Sequence, residues 1–572
     1  METRKREHLR DTNGSFGGIH MAQWDFTTDF VSIGSGGGGL SSALAVNSKG
    51  YEALVLEKRE VVGGSTAMSG GVLWIPNNPL MVAEGVDDSH EDAMAYFEDV
   101  VGDVGPASSY ERREAYITRG PEMVSFLQGL GLSFRRCEGY SDYYPDAKGG
   151  KARGRSIEGT VFDGHRLGPW FEKLQRGFLF EMSGLAAYTG DAAKLMNYNR
   201  SAKCLAASAR AWARTKSAFA RGQAPMTSGW SFIGQMLYVA LDKEIPVWTN
   251  AAVRDIIIED GRAAGVVVER EGKDVRVLAR RGVLISSGGF SHNTEMRKKY
   301  LDPAATTDKF SFSNPGDTGE MIELAMSLGA ATDLMDEVVW NPCKEINDFA
   351  VFESDRQRPG SIYVDAAGKR FVNEASSYLE VCKAQLERNH TTKAVPAWVI
   401  FDDDFRRRYI FTKGRPGVIP KEWFESGDYK KADTTDELAA MCGIDPVGLR
   451  ETLDRFNPNA KQGVDPEFHT GEGAYNQYLG DPKWKPNNCL APIEKGPFYA
   501  SAVYPGDVGT CGGVLTDENA RVLKASGESI PHLYATGNAT ASVMGRKYLG
   551  AGASIGNSAV FGYLAGLHAC KD

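Results

Sequence analysis

The tightest constraint on the fold sits near the front of the chain. Phe26-Thr-Thr-Asp-Phe-Val-Ser-Ile33 has the β-branched and aromatic bias of a buried strand. Gly34-Ser35-Gly36-Gly37-Gly38-Gly39 follows at once, then an Ala-, Ser- and Leu-rich run from Ser41 to Lys49, then Ala53-Leu-Val-Leu-Glu57-Lys58. A strand, a glycine turn, a helix and a second strand ending in an acid form the βαβ unit that holds a dinucleotide. In that frame Gly34 allows the tight turn, Gly36 lets backbone approach a pyrophosphate, and Gly39 packs helix on strand. Glu57 is placed to accept hydrogen bonds from ribose hydroxyls, with Lys58 beside it.

At 572 residues the chain exceeds what one hydrophobic core usually holds, so two or more domains are expected. Its 65 glycines come in short clusters without a period, which marks loops approaching a ligand. The net charge of −9 gives no global reason to expect nucleic acid as a partner. The eight cysteines are scattered, with no C-x-x-C, and the histidines show no ligand spacing. That pattern fits reduced thiols in a cytoplasmic protein and argues against a metal site or a disulfide framework. Residues 1–21 are polar and charged, read as a flexible arm with Met21 an alternative start. No apolar run reaches membrane-spanning length.

The kind of dinucleotide follows from what comes next. Gly63-Gly64-Ser65-Thr66-Ala67-Met68-Ser69-Gly70-Gly71 is a second loop of small and hydroxyl-bearing residues just after Glu57. A simple nicotinamide domain has no need for it, whereas FAD still has a ribityl chain and a flavin ring to accommodate. The chain returns to this site twice more. A strand pair beginning at Val253 leads to Gly282-Val-Leu-Ile-Ser-Ser287-Gly288-Gly289, and Tyr534-Ala-Thr-Gly537-Asn538 precedes a last helix opening at Ala553-Ser554-Ile555. These returns favour FAD.

Ile285-Ser-Ser-Gly-Gly-Phe290, Gly368-Lys-Arg370-Phe-Val-Asn373-Glu374 and Leu533-Tyr-Ala-Thr-Gly-Asn538 resemble the fumarate reductase/succinate dehydrogenase flavoprotein superfamily. Within it, Ser69-Gly-Gly-Val-Leu-Trp74-Ile-Pro76-Asn-Asn78, Pro505-Gly-Asp507-Val-Gly-Thr-Cys-Gly-Gly513 and Tyr548-Leu-Gly-Ala-Gly552 are similar to the 3-ketosteroid Δ1-dehydrogenases. The resemblance covers nearly the whole chain from about residue 25. It implies an α/β fold: a Rossmann-like FAD-binding domain, discontinuous over 22–340 and 501–572, with an α+β catalytic domain inserted at 341–500. The covalent members of the superfamily attach FAD to a histidine near the first glycine cluster. Residues 34–78 contain none, so non-covalent FAD is expected.

The reaction implied by the resemblance removes hydrogens from C1 and C2 of a 3-ketosteroid, as part of steroid degradation. A proton leaves C2 and a hydride leaves C1 for flavin N5, and an external acceptor, a quinone or another oxidant, then takes the electrons. Tyr548 and Gly552 match the pair that holds the C3 ketone, through a phenol O–H and a backbone N–H. Tyr378 matches the base. A phenol with an ordinary pKa near 10 needs help at neutral pH, and the assisting tyrosine is placed at Tyr140, with Tyr143 and Tyr144 as alternatives. Arg370 and Glu374 are read as an ion pair orienting the Tyr378 loop. Arg546-Lys547 depart from the small or neutral residues expected before Tyr548, and either tune the site or point to solvent. The rival readings are a Δ4-(5α)-3-ketosteroid dehydrogenase and, further off, a fumarate-reductase-like enzyme.

Residues 183–221 stand apart, with seven basic side chains against one acid, Asp191. Leu205, Trp212 and Phe219 recur every seven residues among alanines. Two readings apply: a solvated helix docked on the FAD domain by that apolar stripe, or a peripheral membrane-surface patch.

Overall fold

The computed structural model describes residues 24–177, 183–410, 412 and 415–571. The arm expected at 1–21 lies outside them.

The glycine-turn unit folds as its sequence dictates. Phe26–Ile33 pairs in parallel with Ala53–Leu56 on one side and with Lys273–Ile285 on the other. The strand Ser529–Ala535 adds parallel to Lys273–Ile285, and Val247–Trp248 adds parallel to Ala53–Leu56. Antiparallel strands Ala251–Glu259, Arg262–Arg270 and Arg521–Leu523 complete an eight-stranded mixed sheet.

The helix Gly37–Asn47 is buried almost all round, as its alanine and leucine content requires. It packs against the last helix, Ala553–Ala569, through small residues. The Ser41 hydroxyl donates to Ala559 O at 2.9 Å, and a side chain at Gly562 would strike the Gly38 backbone. Leu40, Leu44, Val46, Val560 and Leu564 join one core that also takes in Trp74, Tyr96 and Phe97. Each such side chain contributes about 1.5–3 kcal/mol by leaving water. The first and last segments of the chain are thereby fastened together at the glycine turn.

A second sheet lies within residues 338–510, and its strands pair antiparallel. Its order is Phe349–Phe352, Val338–Ile346, Phe498–Thr510, Ala397–Asp402 and Ser361–Val364, with Tyr429–Ala432 also on Phe498–Thr510. The strands Val338–Ile346 and Phe498–Thr510 pair from Val338↔Thr510 to Cys343↔Tyr504, so the positions 341 and 500 both fall within strands.

A small antiparallel sheet, Val72–Trp74, Ser156–Gly159 and Phe134–Arg136, brings the loop 137–155 to the mouth of the last helix. Four hydrogen bonds hold it there. Trp74 N–H donates to Gly552 O (3.2 Å), Tyr143 N–H to Leu549 O (3.0 Å), the Ser156 hydroxyl to Ala551 O (2.9 Å) and the Tyr96 hydroxyl to Leu549 O (2.8 Å).

The basic segment forms the helices Ala192–Met196 and Ala202–Ala220. Docking by the Leu205, Trp212 and Phe219 stripe does not occur. These side chains are 59%, 57% and 50% exposed, while Cys204, Ala207, Ala211, Thr215 and Ala218 face the protein. The alanine side is narrower and fits closely, so it takes the interior and the large residues are left outside. No helix among the described residues is long and apolar enough to cross a membrane.

Candidate active site

The glycine turn is shaped as a cradle. A side chain at Gly39 would collide with Gly34 O, and one at Gly38 would meet Thr536 and Ser558, so both glycines serve helix–strand packing. A Cβ at Gly36 would meet Thr66 Oγ1 at 3.7 Å, an ordinary van der Waals contact. The Thr66 hydroxyl accepts from Gly37 N–H at 3.2 Å, which ties the second loop to the first. Ser35 donates to Glu57 Oε2 at 2.6 Å and accepts from Gly63 N–H at 2.8 Å, and Arg59 N–H donates to Glu57 Oε1 at 3.0 Å. Glu57 is thus fixed at the end of its strand. Lys58 turns instead to Thr318 (2.8 Å) and Glu320.

The second loop, Gly64–Met68, is a single helical turn followed by Ser69, Gly70 and Gly71. Ser69 donates to Thr66 O and accepts from Gly71 N–H, and Gly70 O accepts from the Thr189 hydroxyl at 2.6 Å. Ala67 is buried in the core. Ser65 donates to Asp317 Oδ2 at 2.9 Å. Ala251 N–H, two residues before Val253, donates to Glu57 O at 2.9 Å. Ser287, Gly288 and Gly289 follow the strand that pairs with the first one, and side chains at the two glycines would strike Asp317 and Thr510. Gly537 and Asn538 close the ring, with Asn538 O accepting from the Thr510 hydroxyl at 3.4 Å.

Asp317 was not anticipated. It lies in Pro315-Gly316-Asp317-Thr318-Gly319, a turn spelling with no distinguishing partner in the sequence, yet it is buried between Ser65 and Gly288. Burial pushes its carboxyl up to about 7, with Glu57 and Asp507 adding to the rise and Ser65 and Lys58 opposing it. Asp507 is also buried. It accepts from Ser291, Ser311 and Gly509 N–H and pairs with the buried Arg297 at 2.6 Å, which braces the strand leading into this site.

Beyond the cradle, tyrosines from remote segments converge. The rings of Tyr143, Tyr378 and Tyr548 are mutually 5.4–5.7 Å apart. The Tyr143 and Tyr378 hydroxyls are 3.3 Å apart. The expected Tyr140 lies one ring further out, stacked on Tyr478 at 4.3 Å, while Tyr144 donates to Glu380 at 2.8 Å. Tyr143, not Tyr140, is the direct neighbour of Tyr378. Burial raises the phenol pKa of Tyr378, Tyr143 and Tyr548.

Tyr548 stands at the mouth of the last helix, its oxygen 3.0 Å from Ser554 Oγ and accepting from Ser554 N–H at 3.4 Å. Ala553 and Ile555, flanking Ser554 in the first turn, are buried. Gly552, the helix N-cap, has φ +89, and any side chain there would strike Val72 O. A narrow cavity lies against this turn, lined by Val339, Thr510, Asn538, Ser542, Lys547 and Tyr548 among others. The two cations before Tyr548 are both paired: Arg546 with Asp336 (2.8 Å) and Lys547 with Glu380 (2.8 Å). Arg370 and Glu374 form the expected buried ion pair at 2.7 Å, with Asp465 as a second partner at 2.9 Å.

The mixed sheet with its parallel centre, the glycine cradle and the returning loops define an FAD-dependent flavoprotein oxidoreductase. The model of the FAD binding domain family matches residues 29–555. The 3-oxosteroid 1-dehydrogenase of Mycolicibacterium smegmatis is 40% identical over 552 residues, covering 94% of this chain and 96% of that protein. The 4-oxocyclohex-2-ene-1-carboxylate 5-dehydrogenase of Sinomonas cyclohexanicum is 32% identical, over 94% of this chain and 93% of that one. Among solved structures, the 3-ketosteroid delta1-dehydrogenase from Sterolibacterium denitrificans, in complex with 1,4-androstadiene-3,17-dione, matches with a TM-score of 0.88 at 34% identity, covering 95% and 99% of the two chains. The chain belongs to the family of the 3-oxosteroid 1-dehydrogenases.

Proposed function

We propose that this protein desaturates the C1–C2 bond of 4-ene-3-ketosteroids to give 1,4-diene-3-ketosteroids, in steroid breakdown. The observation that carries the reading is the meeting of Tyr143, Tyr378 and Tyr548 at the helix mouth beside the FAD cradle. The 40% identity to a 3-oxosteroid 1-dehydrogenase supports the same substrate class.

The residues of the cradle fit FAD. Gly36 caps the start of the helix Gly37–Asn47, where unpaired N–H groups and the helix dipole favour a pyrophosphate. Glu57 is in place for the ribose, and the hydroxyl-rich second loop suits the ribityl chain. With no histidine in 34–78, attachment is non-covalent. When bound, FAD supplies the two-electron acceptor for the hydrogen leaving C1.

The protein side handles the ketone and the proton. The Tyr548 oxygen accepts from Ser554 N–H, which leaves its own hydrogen to donate to the C3 oxygen. Gly552 N–H is the second donor. Both are aimed where negative charge develops as the C2 proton leaves, in a buried place where such bonds count for more. Tyr378 takes that proton, and Tyr143, whose hydroxyl is within reach, assists it in place of Tyr140. The electrons then pass to an external oxidant, a quinone or another acceptor.

The exposed Leu205, Trp212 and Phe219, set among Lys203, Arg210 and Lys216, form a patch for an anionic membrane surface, where a steroid is concentrated. Flotation with anionic vesicles tests that part: retention lost in Trp212→Ser supports it, and absence of retention in the parent protein overturns it.

The test of the activity is product analysis. With androst-4-ene-3,17-dione and an artificial electron acceptor, the product should lack one hydrogen each from C1 and C2. No turnover, or a double bond formed elsewhere on the ring, overturns the reading.

A further inference from the structure

Arg356 is a buried cation that the scheme above leaves unused. Its side chain is only 4% exposed. Arg358, two residues on, pairs with Asp355, but no carboxylate among the described residues pairs with the Arg356 guanidinium. Its Nη2 donates to Ser376 O at 3.0 Å, and its Nε finds no acceptor. Glu353 meets Arg356 through the backbone N–H, accepting from it at 3.1 Å and from Asp355 N–H at 2.7 Å, and its carboxylate is paired with Lys344. A charge buried without a counter-charge is costly, and it is well used where negative charge forms during work.

That place is one residue away from the tyrosine cluster. The buried Tyr475 packs against Tyr143 with ring centres 4.5 Å apart and planes tilted by 48°, and its hydroxyl faces Arg356, Gln357 and Tyr143. The Tyr143 hydroxyl is in turn 3.3 Å from that of Tyr378. The hydroxyls therefore run Tyr378, Tyr143, Tyr475 and end at the guanidinium. Tyr140 and Tyr378 are further titratable groups near Tyr475, and around Arg356 lie Tyr363, Cys382 and the carboxylates of Glu353 and Asp355, both paired with the buried Lys344. Gln357 Nε2 donates to Ala375 O at 3.0 Å and Asn476 Nδ2 to the same oxygen at 3.1 Å. The segment leading into Tyr378 is thus laced to the same two neighbours.

We infer that Arg356 is a positioning residue for proton removal: acting through Tyr475 and Tyr143, it keeps this row of hydroxyls one proton short. The inference rests on Tyr378 being the base. In the reactive state Tyr475 carries the phenolate, beside the guanidinium. The C2–H bond breaks and its proton goes to the Tyr378 oxygen, while the Tyr378 proton passes to Tyr143 and the Tyr143 proton to Tyr475. The C–H electron pair stays on the substrate as the enolate held by Tyr548 and Gly552. Loss of one proton from the row to water resets it. Burial raises the Tyr475 phenol pKa, and Arg356 is the first of the groups that oppose the rise.

The test is the rate of anaerobic flavin reduction by androst-4-ene-3,17-dione against pH, in the FAD-loaded enzyme and its variants. In Arg356→Gln the acid limb should move up by at least one pH unit, lowering the rate near neutrality by about tenfold or more. Activity should recover at high pH, with FAD content unchanged, and Arg356→Lys should restore much of the neutral rate. Tyr475→Phe leaves Arg356 and its Ser376 contact in place, and should displace the same limb in the same direction. A rate lowered equally at every pH, an unshifted limb in Tyr475→Phe, or unchanged rates in Arg356→Gln would overturn the inference. Tyr378→Phe separates the two levels. If it still reduces flavin at near the parent rate, the base assignment itself fails. If it is inactive while both limbs stay unshifted, only the role of Arg356 fails.

Discussion

The hydroxyls of Tyr143 and Tyr378 lie 3.3 Å apart although 235 residues separate them in the chain. Neither is placed by its own segment alone. Tyr143 is fixed through its backbone to Leu549 O, and Tyr378 opens the helix Tyr378–Asn389 behind the Ser377 cap. The contact joins the loop 137–155 to the first turn of that helix.

It follows that Tyr143→Phe should slow flavin reduction far more than Tyr140→Phe. Loss of an assisting proton-transfer group typically costs about 10²-fold or more. The Tyr140 change, which keeps the ring stacked on Tyr478, should stay within a few-fold. Stopped-flow absorbance compares them directly, and equal losses would place the assisting role on the pair.

Tyr548→Phe should lower flavin reduction by about 10²–10³, the usual cost of one oxyanion donor. The FAD spectrum and content should not change, because the ring stays in its core and only the hydroxyl contact with Ser554 is lost. A protein that loses its flavin as well would show Tyr548 to be structural.

Gly39→Ala should abolish FAD retention. The added methyl would drive into Gly34 O, so the helix must leave the strand and the cradle opens. The expected result is a colourless or insoluble protein. Gly129→Ala, at the end of the helix Tyr110–Gly129 with nothing within 4 Å, serves as a control that stays yellow.

Asp317 gives a signed pH dependence. Its folded pKa of about 7 lies above the ordinary aspartate value of 3.8, so the folded flavin-free protein holds this proton more tightly than the unfolded chain does. The site's cost is absent below pH 3.8 and grows as pH rises toward 7, at no more than about 1.4 kcal/mol per pH unit. Denaturant unfolding of flavin-free protein should show stability falling across that window, and Asp317→Asn should flatten the fall. An unchanged slope would remove Asp317 as its source.

The glycine turn was legible in the sequence because its physics is local: strand, turn, helix and acid lie within a single stretch, and the close approach of Gly39 to Gly34 O is set by backbone alone. The Arg370–Glu374 pair was legible for the same reason, being one helical turn apart in number. The choice among Tyr140, Tyr143 and Tyr144 was not. All three sit on one loop, and which hydroxyl meets Tyr378 depends on how Leu549 and Tyr96 grip that loop. Tyr475, Arg356 and Asp317 carried no motif, since their significance is burial and the neighbours that tertiary structure brings. In the helix Ala202–Ala220 the seven-residue stripe correctly marked one face, but close packing favoured the alanines, so the sequence pattern alone could not say which face turns inward.

The most direct measurement is to mix the purified yellow protein anaerobically with androst-4-ene-3,17-dione, a 5α-3-ketosteroid or succinate and follow the flavin band. Rapid bleaching by the 4-ene-3-ketosteroid, absent with succinate and lost in Tyr378→Phe, is the expected result. A flavin band left unbleached by any 4-ene-3-ketosteroid would contradict the assignment.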